Sequence, residues 1–445
     1  MSIYNSQIKT HIIDPVYNSG NFRAEYRLPP STVFLSNLRM VGLGATSTGG
    51  TTLYNKALGS QGVIKQITLM DDNQVLDQLL EAPYWMTFKN LNRKNQDNMD
   101  LEQNLKKNTL GNSWNGGNGA NGLGQKIDEY SVAGCLCDIN APNALTNPTD
   151  TSFLNLSEVF PLLSNLKALP TTVFKNLKVI IEYNTDPDFF VRDNSKVPFT
   201  TTEAQLIADE VVGEIGKGKL GNFSGVSYTS IEHDRVTIPA IKVADGLTAT
   251  SPTLTKNQTV HINGFNNKSV GRMLIVKSPT VDATFKTGNV NFRYGKTASK
   301  CCNKEVLQVR VNGSSKIAGK GITGANQRLG MVGDVWGKLS IAPFHNGESY
   351  LEEDGVDRAN LVNDGQRTIS EVDYYGININ SKVEDLQVDF QRQGVYIFST
   401  NATVVATDNI ATDACSNNQT LNFNLFCEVY KQIIPNDGGY NVVYV

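Results

Sequence analysis

The chain has 445 residues, of which 40% are hydrophobic and 19% charged, and its formal net charge is -3. This length suits two or three domains or one large β architecture, and the apolar content supports a sizeable core. A near-neutral charge without a basic cluster disfavours a general nucleic-acid binder and a protein that coats anionic lipid by charge. No stretch approaches the roughly 20 apolar residues that a membrane span needs.

The N-terminus and the cysteines bear on the compartment in which the chain resides. Residues 1–6 lack both a cationic start and an apolar stretch, so the sequence predicts no secretory signal peptide. The six cysteines show no framework spacing, which favours free thiols in a reducing compartment.

Short β-type runs dominate the chain from its start to its end. They are rich in β-branched and aromatic residues, and Gly, Asn, Asp, Ser, Thr or Pro bounds each of them. Strands are predicted at 22–28, 33–43, 63–70, 177–183 and 388–398.

Two helical insertions are predicted between these strands. The first covers 74–91, where apolar side chains recur at a helical period, although Pro83 interrupts the pattern. The second covers 157–169, with Ser157 as N-cap and Pro170 as the stop. Neither insertion belongs to a repeating strand–helix–strand pattern.

The stretch at about 92–125 differs from the rest of the chain in composition. It is charged and amide-rich and then becomes Gly-Asn low complexity around Trp114. Such a segment buries little surface, so we predict a long exposed loop. A single chain offers Trp114 no evident place for burial, and we therefore expect the loop to contact a neighbouring subunit.

Three segments of the first half have loose counterparts in the second half, in the same order and offset by about half the chain. This indicates two copies of one β-domain. Gly-rich and polar residues at 213–225 and 244–256 separate the copies, which predicts one domain at 1–235, containing the loop at about 92–125, and a second at 236–445. The paired segments are 66–72 with 308–313, 176–183 with 420–430, and 38–41 with 273–276.

Many short antiparallel strands in domains of roughly 200 residues favour sandwiches or barrels. A jelly roll fits best, because its long connections between strands accept insertions. We therefore predict an all-β chain of two tandem jelly-roll β-sandwich domains with short helical insertions.

The four histidines do not form a predicted metal or catalytic site. His11, His233, His261 and His345 lie far apart, and none has a second His, a Cys or paired carboxylates at ligand spacing. His233 and Asp234 are adjacent, and a solvated surface position explains this pair better than a catalytic role.

Two close cysteine pairs lack the spacing that is typical of zinc sites. They are Cys135 with Cys137 and Cys301 with Cys302. Alternation along a strand places Cys135 and Cys137 on the same face, where buried free thiols are the favoured interpretation.

Three further patterns match binding or catalytic motifs in part. Residues 213–219 have the glycines and lysine of a phosphate-binding loop, but Leu220 stands where Ser or Thr should bind magnesium, which favours a flexible linker. The acidic run 352–354 is best explained as a solvated loop, and Trp85 as a core residue instead of a sugar-stacking one. We predict no catalytic, cofactor-binding or metal-binding residue, and no cofactor.

The chain resembles the double jelly-roll major capsid proteins of icosahedral double-stranded DNA viruses, and it is most similar to the small members of virophages and polinton-like viruses. The resemblance covers most of the chain in strand order, and its residue motifs are loose. The segments that carry it are 62–77 with 84–85, 160–170 leading into 176–183, and 421–430 followed by 438–440.

The resemblance implies a structural protein without enzymatic activity. Its members form pseudo-hexagonal homotrimers that tile a capsid, so the implied partners are copies of the chain, neighbouring capsomers, and penton and minor capsid proteins. The implied location is the virion, assembled inside the host cell and not secreted through a signal peptide. No specific nucleic-acid binding and no transmembrane segment are expected.

Two other functions remain open from the sequence. One is a penton or minor capsid protein of the same virion, although such proteins usually need one jelly roll. The other is a carbohydrate-binding or carbohydrate-active jelly-roll protein, for which exposed tryptophans and paired carboxylates would be the relevant residues.

Overall fold

The structure is a computed structural model that describes part of the chain. The predicted loop at about 92–125, with Trp114, lies outside the described residues. The described residues are 7–20, 22–47, 53–54, 59–91, 153–184, 190–191, 199–201, 203–213, 217–218, 220–241, 245–246, 251, 253–279, 305–317, 319–322, 325–337, 374–395, 420–436 and 439–445.

Strands β1 to β15 occupy the first half of the chain. The strands are β1 (Gln7–Ile13), β2 (Tyr17–Asn18), β3 (Arg23–Arg27), β4 (Val33–Leu35), β5 (Arg39–Val41), β6 (Ala45–Ser47), β7 (Leu53–Tyr54), β8 (Ile64–Asp71), β9 (Gln74–Leu79), β10 (Phe153–Asn155), β11 (Ala168–Pro170), β12 (Leu177–Tyr183), β13 (Phe190–Val191), β14 (Phe199–Thr201) and β15 (Gln205–Val212).

Strands β16 to β24 occupy the second half, and helices are short and few among the described residues. The strands are β16 (Val226–Ile238), β17 (Thr253–His261), β18 (Lys268–Pro279), β19 (Glu305–Val311), β20 (Ser314–Ser315), β21 (Tyr374–Val383), β22 (Leu386–Val395), β23 (Leu421–Asn436) and β24 (Gly439–Tyr444). The helices are α1 (Ala82–Leu91), α2 (Pro161–Asn165) and α3 (Ala325–Trp336), with 3-10 turns at Gly59–Val63 and Leu156–Glu158.

The described residues fall into two compact units. The first unit contains those before 233 together with those of 428–445, and the second unit contains those of 233–427. The division lies inside β16, between Glu232 and His233, and inside β23. The sequence-based division into domains at 1–235 and 236–445 stays a prediction.

The first unit contains two main antiparallel sheets. In one sheet, β1 pairs with one side of β15. The short strands β4 and β5 pair one after the other with the other side of β15. Beyond them, β11 pairs with β4, and β10 pairs with β5. In the other sheet the order is β2-β3-β12-β8-β9. Two short ladders, β13 with β7 and β14 with β6, add to these sheets.

The remaining two sheets repeat the strand order of the first two. Their orders are β16-β23-β18-β21, with β24 on β23, and β17-β22-β19-β20. When β24 is left aside and the pairs β2 with β3, β4 with β5, and β10 with β11 each count as one strand, all four sheets share one order. The last strand in chain order lies between the first and the second, and the third lies beyond the second. This is the order of both sheets of a jelly roll, so the predicted fold class, two tandem jelly rolls with short helical insertions, is confirmed.

The sequence repeat agrees with this topology at two of its three segments. Strands β8 and β19 hold the same place in their sheets, as do β5 and β18. The hairpins after β8 and β19 both turn through a residue with positive φ, Asp72 at 48° and Asn312 at 52°. The third match was wrong, because β12 corresponds in position to β22 and not to β23.

The first predicted helix, 74–91, was wrong in its first half. Residues Gln74–Leu79 form β9, which pairs with β8 across a register shift, and this irregularity lets Leu76 and Leu79 both reach the core. Their spacing of three therefore imitates a helical stripe. Helix α1 begins only at Ala82, with Pro83 in its first turn, where a missing N–H costs nothing.

The second predicted helix, 157–169, is divided into a 3-10 turn, the short helix α2 and strand β11. The N-cap is Asn155, whose side chain accepts from the backbone N–H of Ser157, so Ser157 as N-cap was wrong. Strand β11 pairs with β4, and this long-range pairing prevails over continuation of the helix.

Among the predicted strands, 177–183 matches β12 in both bounds. Strands β3 and β8 flank β12 on either side, which explains its nearly continuous apolar run. The predicted strand at 33–43 is two strands, β4 and β5, that pair with different strands on their far side. The strand predicted at 388–398 begins two residues earlier as β22, and its last residues lie outside the described ranges.

Candidate functional site

The N-terminal edge, which we define as residues 7–20 together with Phe22, exposes an unusual amount of apolar surface. Five of the ten exposed large hydrophobic side chains among the described residues lie on it. A concentration of exposed apolar side chains in so few residues is typical of an interaction site. The five side chains and their exposed fractions are Ile8 51%, Ile12 64%, Val16 57%, Tyr17 55% and Phe22 67%.

Both strands of the N-terminal edge lie at the margin of their sheets. Within the described residues β1 pairs with β15 alone, and β2 pairs with β3 alone. No residue of β1 is buried. The outer side of each strand therefore presents backbone N–H and C=O groups and apolar side chains together, which is a template for another chain.

Polar side chains on β15 hold β1 in place, and Asp209 is the first of them. The hydroxyl of Thr10 donates to Asp209 Oδ1 at 2.8 Å. The other carboxylate oxygen, Oδ2, accepts from Asn37 Nδ2 at 2.9 Å and from the Arg39 guanidinium at 2.7 Å. Asp209 thus joins β1 to β5 across β15.

Glu210 is the second anchor of β1. Its carboxylate lies 2.7 Å from His11 Nε2 and 3.2 Å from Lys217 Nζ, and it accepts from the hydroxyl of Thr32. The Thr32 hydrogen bond, followed by those from His11 and Lys217, lowers the pKa of Glu210 to about 2. The His11 ring also packs edge-on against Phe34, with the ring centroids 5.7 Å apart.

A buried polar cluster fixes the end of β23 in the first unit. The fully buried Asp77 accepts from the Ser230 hydroxyl at 2.7 Å and from the backbone N–H of Leu162 at 3.1 Å. Lys431 on β23 donates to Ser230 at 3.3 Å and pairs with Glu232 at 2.9 Å. Burial raises the pKa of Asp77 to about 6, against the effect of its hydrogen bonds.

The second unit carries an open groove of about 390 Å³ along β17, β22 and β19. Asn257, Gln308 and Gln391 line it. Asp389, also in the lining, accepts from Thr259 at 2.6 Å and is thereby held within the sheet. The lining thus combines side-chain amides, a hydroxyl, a carboxylate and the guanidinium of Arg310, which can form hydrogen bonds with polar molecules.

The three described histidines have different partners, and His11 shares the Glu210 carboxylate with Lys217. His233 lies 3.2 Å from the side-chain oxygen of Asn424, and His261 lies 3.3 Å from Asp385. Lys217, in the phosphate-loop-like segment, contacts Glu210. Across the described residues, no three His, Cys, Asp or Glu side chains group in a way that could hold a metal ion.

The remaining residues weighed from the sequence have separate positions. Trp85 is buried at 4% exposure, as predicted for a core residue, and Trp336 is buried at 7%, so neither presents its ring as a sugar platform. Cys427 is fully buried. The other residues considered, which lie outside the described ranges, are His345, Cys135, Cys137, Cys301, Cys302 and 352–354.

Strand β1 was missed by the sequence reasoning. A signal was present, because Ile8, Thr10 and Ile12 alternate at period two in a β-branched run. The apolar members of this alternation face solvent, so the pattern lacks the polar outer face of an ordinary surface strand.

No helix within the described ranges is long and apolar enough to cross a membrane. No protein-family model matches the chain, and no curated protein matches it.

Solved structures of virus proteins match the chain over nearly its whole length. VP54 of PBCV-1, as fitted into a cryo-EM reconstruction of the virophage Sputnik, matches over 99% of this chain and 97% of that chain, with a TM-score of 0.55 and 10% sequence identity. The Faustovirus major capsid protein matches over 97% of this chain and 91% of that chain, with a TM-score of 0.56 and 8% identity. At such identities the likeness concerns the fold, and the chain has the double jelly-roll fold of these virus proteins.

Proposed function

We propose that the chain is a major capsid protein, a structural subunit that forms homotrimeric, pseudo-hexameric capsomers in the icosahedral shell of a virion. The observation that carries the proposal is the likeness of nearly the whole chain to the Faustovirus major capsid protein. Both compact units take part in that likeness, because it covers 97% of this chain.

The geometry of a double jelly roll explains why a trimer suits this role. Three chains with two jelly rolls each provide six similar units, which fit a hexagonally packed position. Closed symmetry hides unprotected strand edges without open-ended polymerisation. An obligate interface of this kind buries on the order of 2,000 Å² or more.

The N-terminal edge supports self-association as the mode of action. Five of its exposed side chains are large and apolar or aromatic, and the chain as a whole is near neutral, with a formal net charge of -3. Salt screens interactions between charges, so it should weaken contacts between apolar side chains little. Neighbouring capsomers, penton proteins and minor capsid proteins are the further proposed partners, and the virion is the proposed location.

The proposal assigns the chain no catalytic role. Among the described residues, the carboxylates of Asp209, Glu210 and Asp77 hold strands together through hydrogen bonds. A carboxylate with this many fixed donors is a structural anchor.

Light scattering of the full chain at micromolar concentration tests the proposal. The expected mass is three times 48.7 kDa, unchanged by moderate salt, and negative-stain images should show trimers with a hexagonal outline. Monomers would refute the capsid role as stated, and pentamers would favour a penton protein.

A matched pair of variants locates the contact surface in the same assay. Ile12→Asp changes a 64% exposed side chain on β1, and Val75→Asp changes a 41% exposed one on β9, a margin strand of the other main sheet of the first unit. We expect Ile12→Asp to reduce the trimer fraction at least tenfold while Val75→Asp reduces it less. Equal effects of the two variants would mean that the N-terminal edge is not the contact.

A further inference from the structure

We propose that β1 is exchanged between copies of the chain, so that in the assembled oligomer β1 of one copy pairs with β15 of its neighbour. The inference rests on the proposed self-assembly and adds to it the strand pairing that connects one copy with the next. The register would be the one found within a single chain, with Gln7 opposite Val212 and Ile13 opposite Leu206.

Strand β1 can leave its own unit at low cost. None of its seven residues is buried, so its departure opens no cavity in the core. What it loses is the antiparallel ladder with β15 and the side-chain contacts of Thr10 and His11. An identical strand from another copy restores every one of these contacts, so exchange changes their sum little.

The site that β1 leaves stays formed without it. Asp209 keeps its hydrogen bonds from Asn37 and Arg39. Glu210 keeps Thr32 and Lys217. Both carboxylates therefore remain in position to accept a threonine hydroxyl and a histidine ring from an incoming strand. A preformed acceptor lowers the ordering cost of binding.

The connection after β1 is suited to a change of direction. Three residues, Asp14, Pro15 and Val16, separate β1 from β2. Proline favours an extended conformation for the residue before it, and Asp14 is exposed, so no buried side chain at this residue opposes a different direction of β1. The Asp14 carboxylate accepts from Gln205 at 2.7 Å, which is an exposed contact and easily replaced by water.

The exposed apolar side chains provide the reason for exchange. Ile8, Ile12, Val16 and Tyr17 are all more than half exposed when β1 pairs within its own chain. If β1 crosses to a neighbour, this segment lies where two copies meet, and a surface that a single copy leaves in water becomes covered. Exchange therefore keeps the contacts between β1 and β15, and the oligomer additionally buries these apolar side chains.

Engineered disulfides in the full chain distinguish the two pairings. Ile12 and Ile207 are direct partners in the ladder, so Ile12→Cys and Ile207→Cys place two sulfurs at bonding distance. We expect the two single variants, mixed as unfolded chains, refolded together and oxidised, to give a covalent dimer on a non-reducing denaturing gel. Each single variant alone and the unmodified chain, which has six native cysteines, are the controls.

The double variant Ile12→Cys with Ile207→Cys gives an independent measurement. Exchange produces covalent oligomers up to the size of the assembled species. The matched control is Thr68→Cys with Ile180→Cys, a buried pair between β8 and β12 that must crosslink within one chain.

The outcomes separate this inference from the proposed function. A trimer in light scattering without any covalent dimer from the mixed single variants would overturn exchange and leave the capsid role standing. If the protein is a trimer and the double variant forms only intrachain disulfides, exchange is likewise overturned and the capsid role stands. A monomer in light scattering would overturn the proposed function, and exchange with it.

Discussion

The first strand, β1, and the long strand β23 near the other end of the chain are stabilised in opposite ways. In β23 every residue of Leu421–Cys427 is buried, whereas in β1 no residue is. Fully burying a large apolar side chain stabilises a fold by about 1.5–3 kcal/mol, and a net hydrogen bond by about 0.5–1.5 kcal/mol. Strand β23 therefore belongs to the core. Strand β1 is attached by its hydrogen-bonded ladder with β15 and a few polar contacts, and it remains available for contact with other copies.

The largest effect is expected from opening a cavity beneath β23. Phe423 is 1% exposed and packs edge-on against Phe390, with ring centroids 4.8 Å apart. Phe423→Ala should lower the free energy of unfolding by about 3–5 kcal/mol in urea titrations followed by tryptophan fluorescence. The comparison variant Ile12→Ala on β1 should change it by less than about 0.5 kcal/mol. Similar losses in both variants would erase the distinction between the strands.

Acidity should affect the anchors of the two strands in opposite directions. The pKa of Asp77, beside the β23 cluster, is raised from 3.8 to about 6, so its contribution to stability is fully present below about pH 4 and lost as pH rises through 6. The pKa of Glu210, which holds β1, is lowered from 4.5 to about 2, so its contribution is present above pH 4.5 and lost as pH falls towards 2.

Two amide variants measure these opposite dependences. Relative to the unmodified protein, Asp77→Asn should gain on the order of 3 kcal/mol of stability between pH 4 and pH 7, because a shift of one pKa unit corresponds to about 1.4 kcal/mol. Glu210→Gln should instead lose stability relative to the unmodified protein as pH rises from 2 to 5. The measurement is denaturant unfolding at each pH, and a difference that stays constant with pH would contradict the assignment for that residue.

A single hydrogen bond of β1 should have a smaller effect. Thr10→Val removes the donor to Asp209 without changing shape, and should cost about 0.5–1.5 kcal/mol at most. Its signature is local: hydrogen exchange of the amides in β1 should become faster while that of β23 stays the same. The matched control is Thr259→Val, which removes an equivalent bond to Asp389 in the second unit and should leave β1 unaffected. Unchanged exchange in β1 would show that the Asp209 anchor is unimportant.

The smallest effect on stability is expected from two exposed isoleucines. Ile8 on β1 is 51% exposed and Ile434 on β23 is 42% exposed. Ile8→Ser and Ile434→Ser should each change the free energy of unfolding by less than about 0.5 kcal/mol. They should differ in light scattering, where Ile8→Ser weakens association more than Ile434→Ser does. The reverse order would move the contact surface to β23.

The local hydrophobic pattern of the sequence was sufficient to predict a strand that lies between two other strands of its sheet. Strand β12 was predicted with its observed bounds because a strand flanked by two others is apolar along almost its whole length. The predicted helix at 74–91 failed because the register shift between β8 and β9 is a property of the pair, which neither strand encodes alone. The repeat with its two positive-φ turns, at Asp72 and Asn312, is visible in sequence because turn residues are local.

The candidate site was beyond such reasoning for a different reason. The bonds from Thr10 to Asp209 and from His11 to Glu210 each join residues 199 positions apart. Nothing near Thr10 or His11 in the sequence indicates these partners. The exposed isoleucines of β1 also run against the rule that an apolar alternation faces a core.

The assignment of residues 428–445 to the first unit has a consequence for synthesis of the protein. The hydroxyl of Tyr440 donates to Asp71 at 2.9 Å, a contact between residues 369 positions apart. A ribosome makes the chain from its N-terminus, so the unit that begins first can be completed only after the last strands emerge. A prematurely terminated chain lacks Lys431 and Tyr440, and its first unit stays unfinished however much of the second has folded.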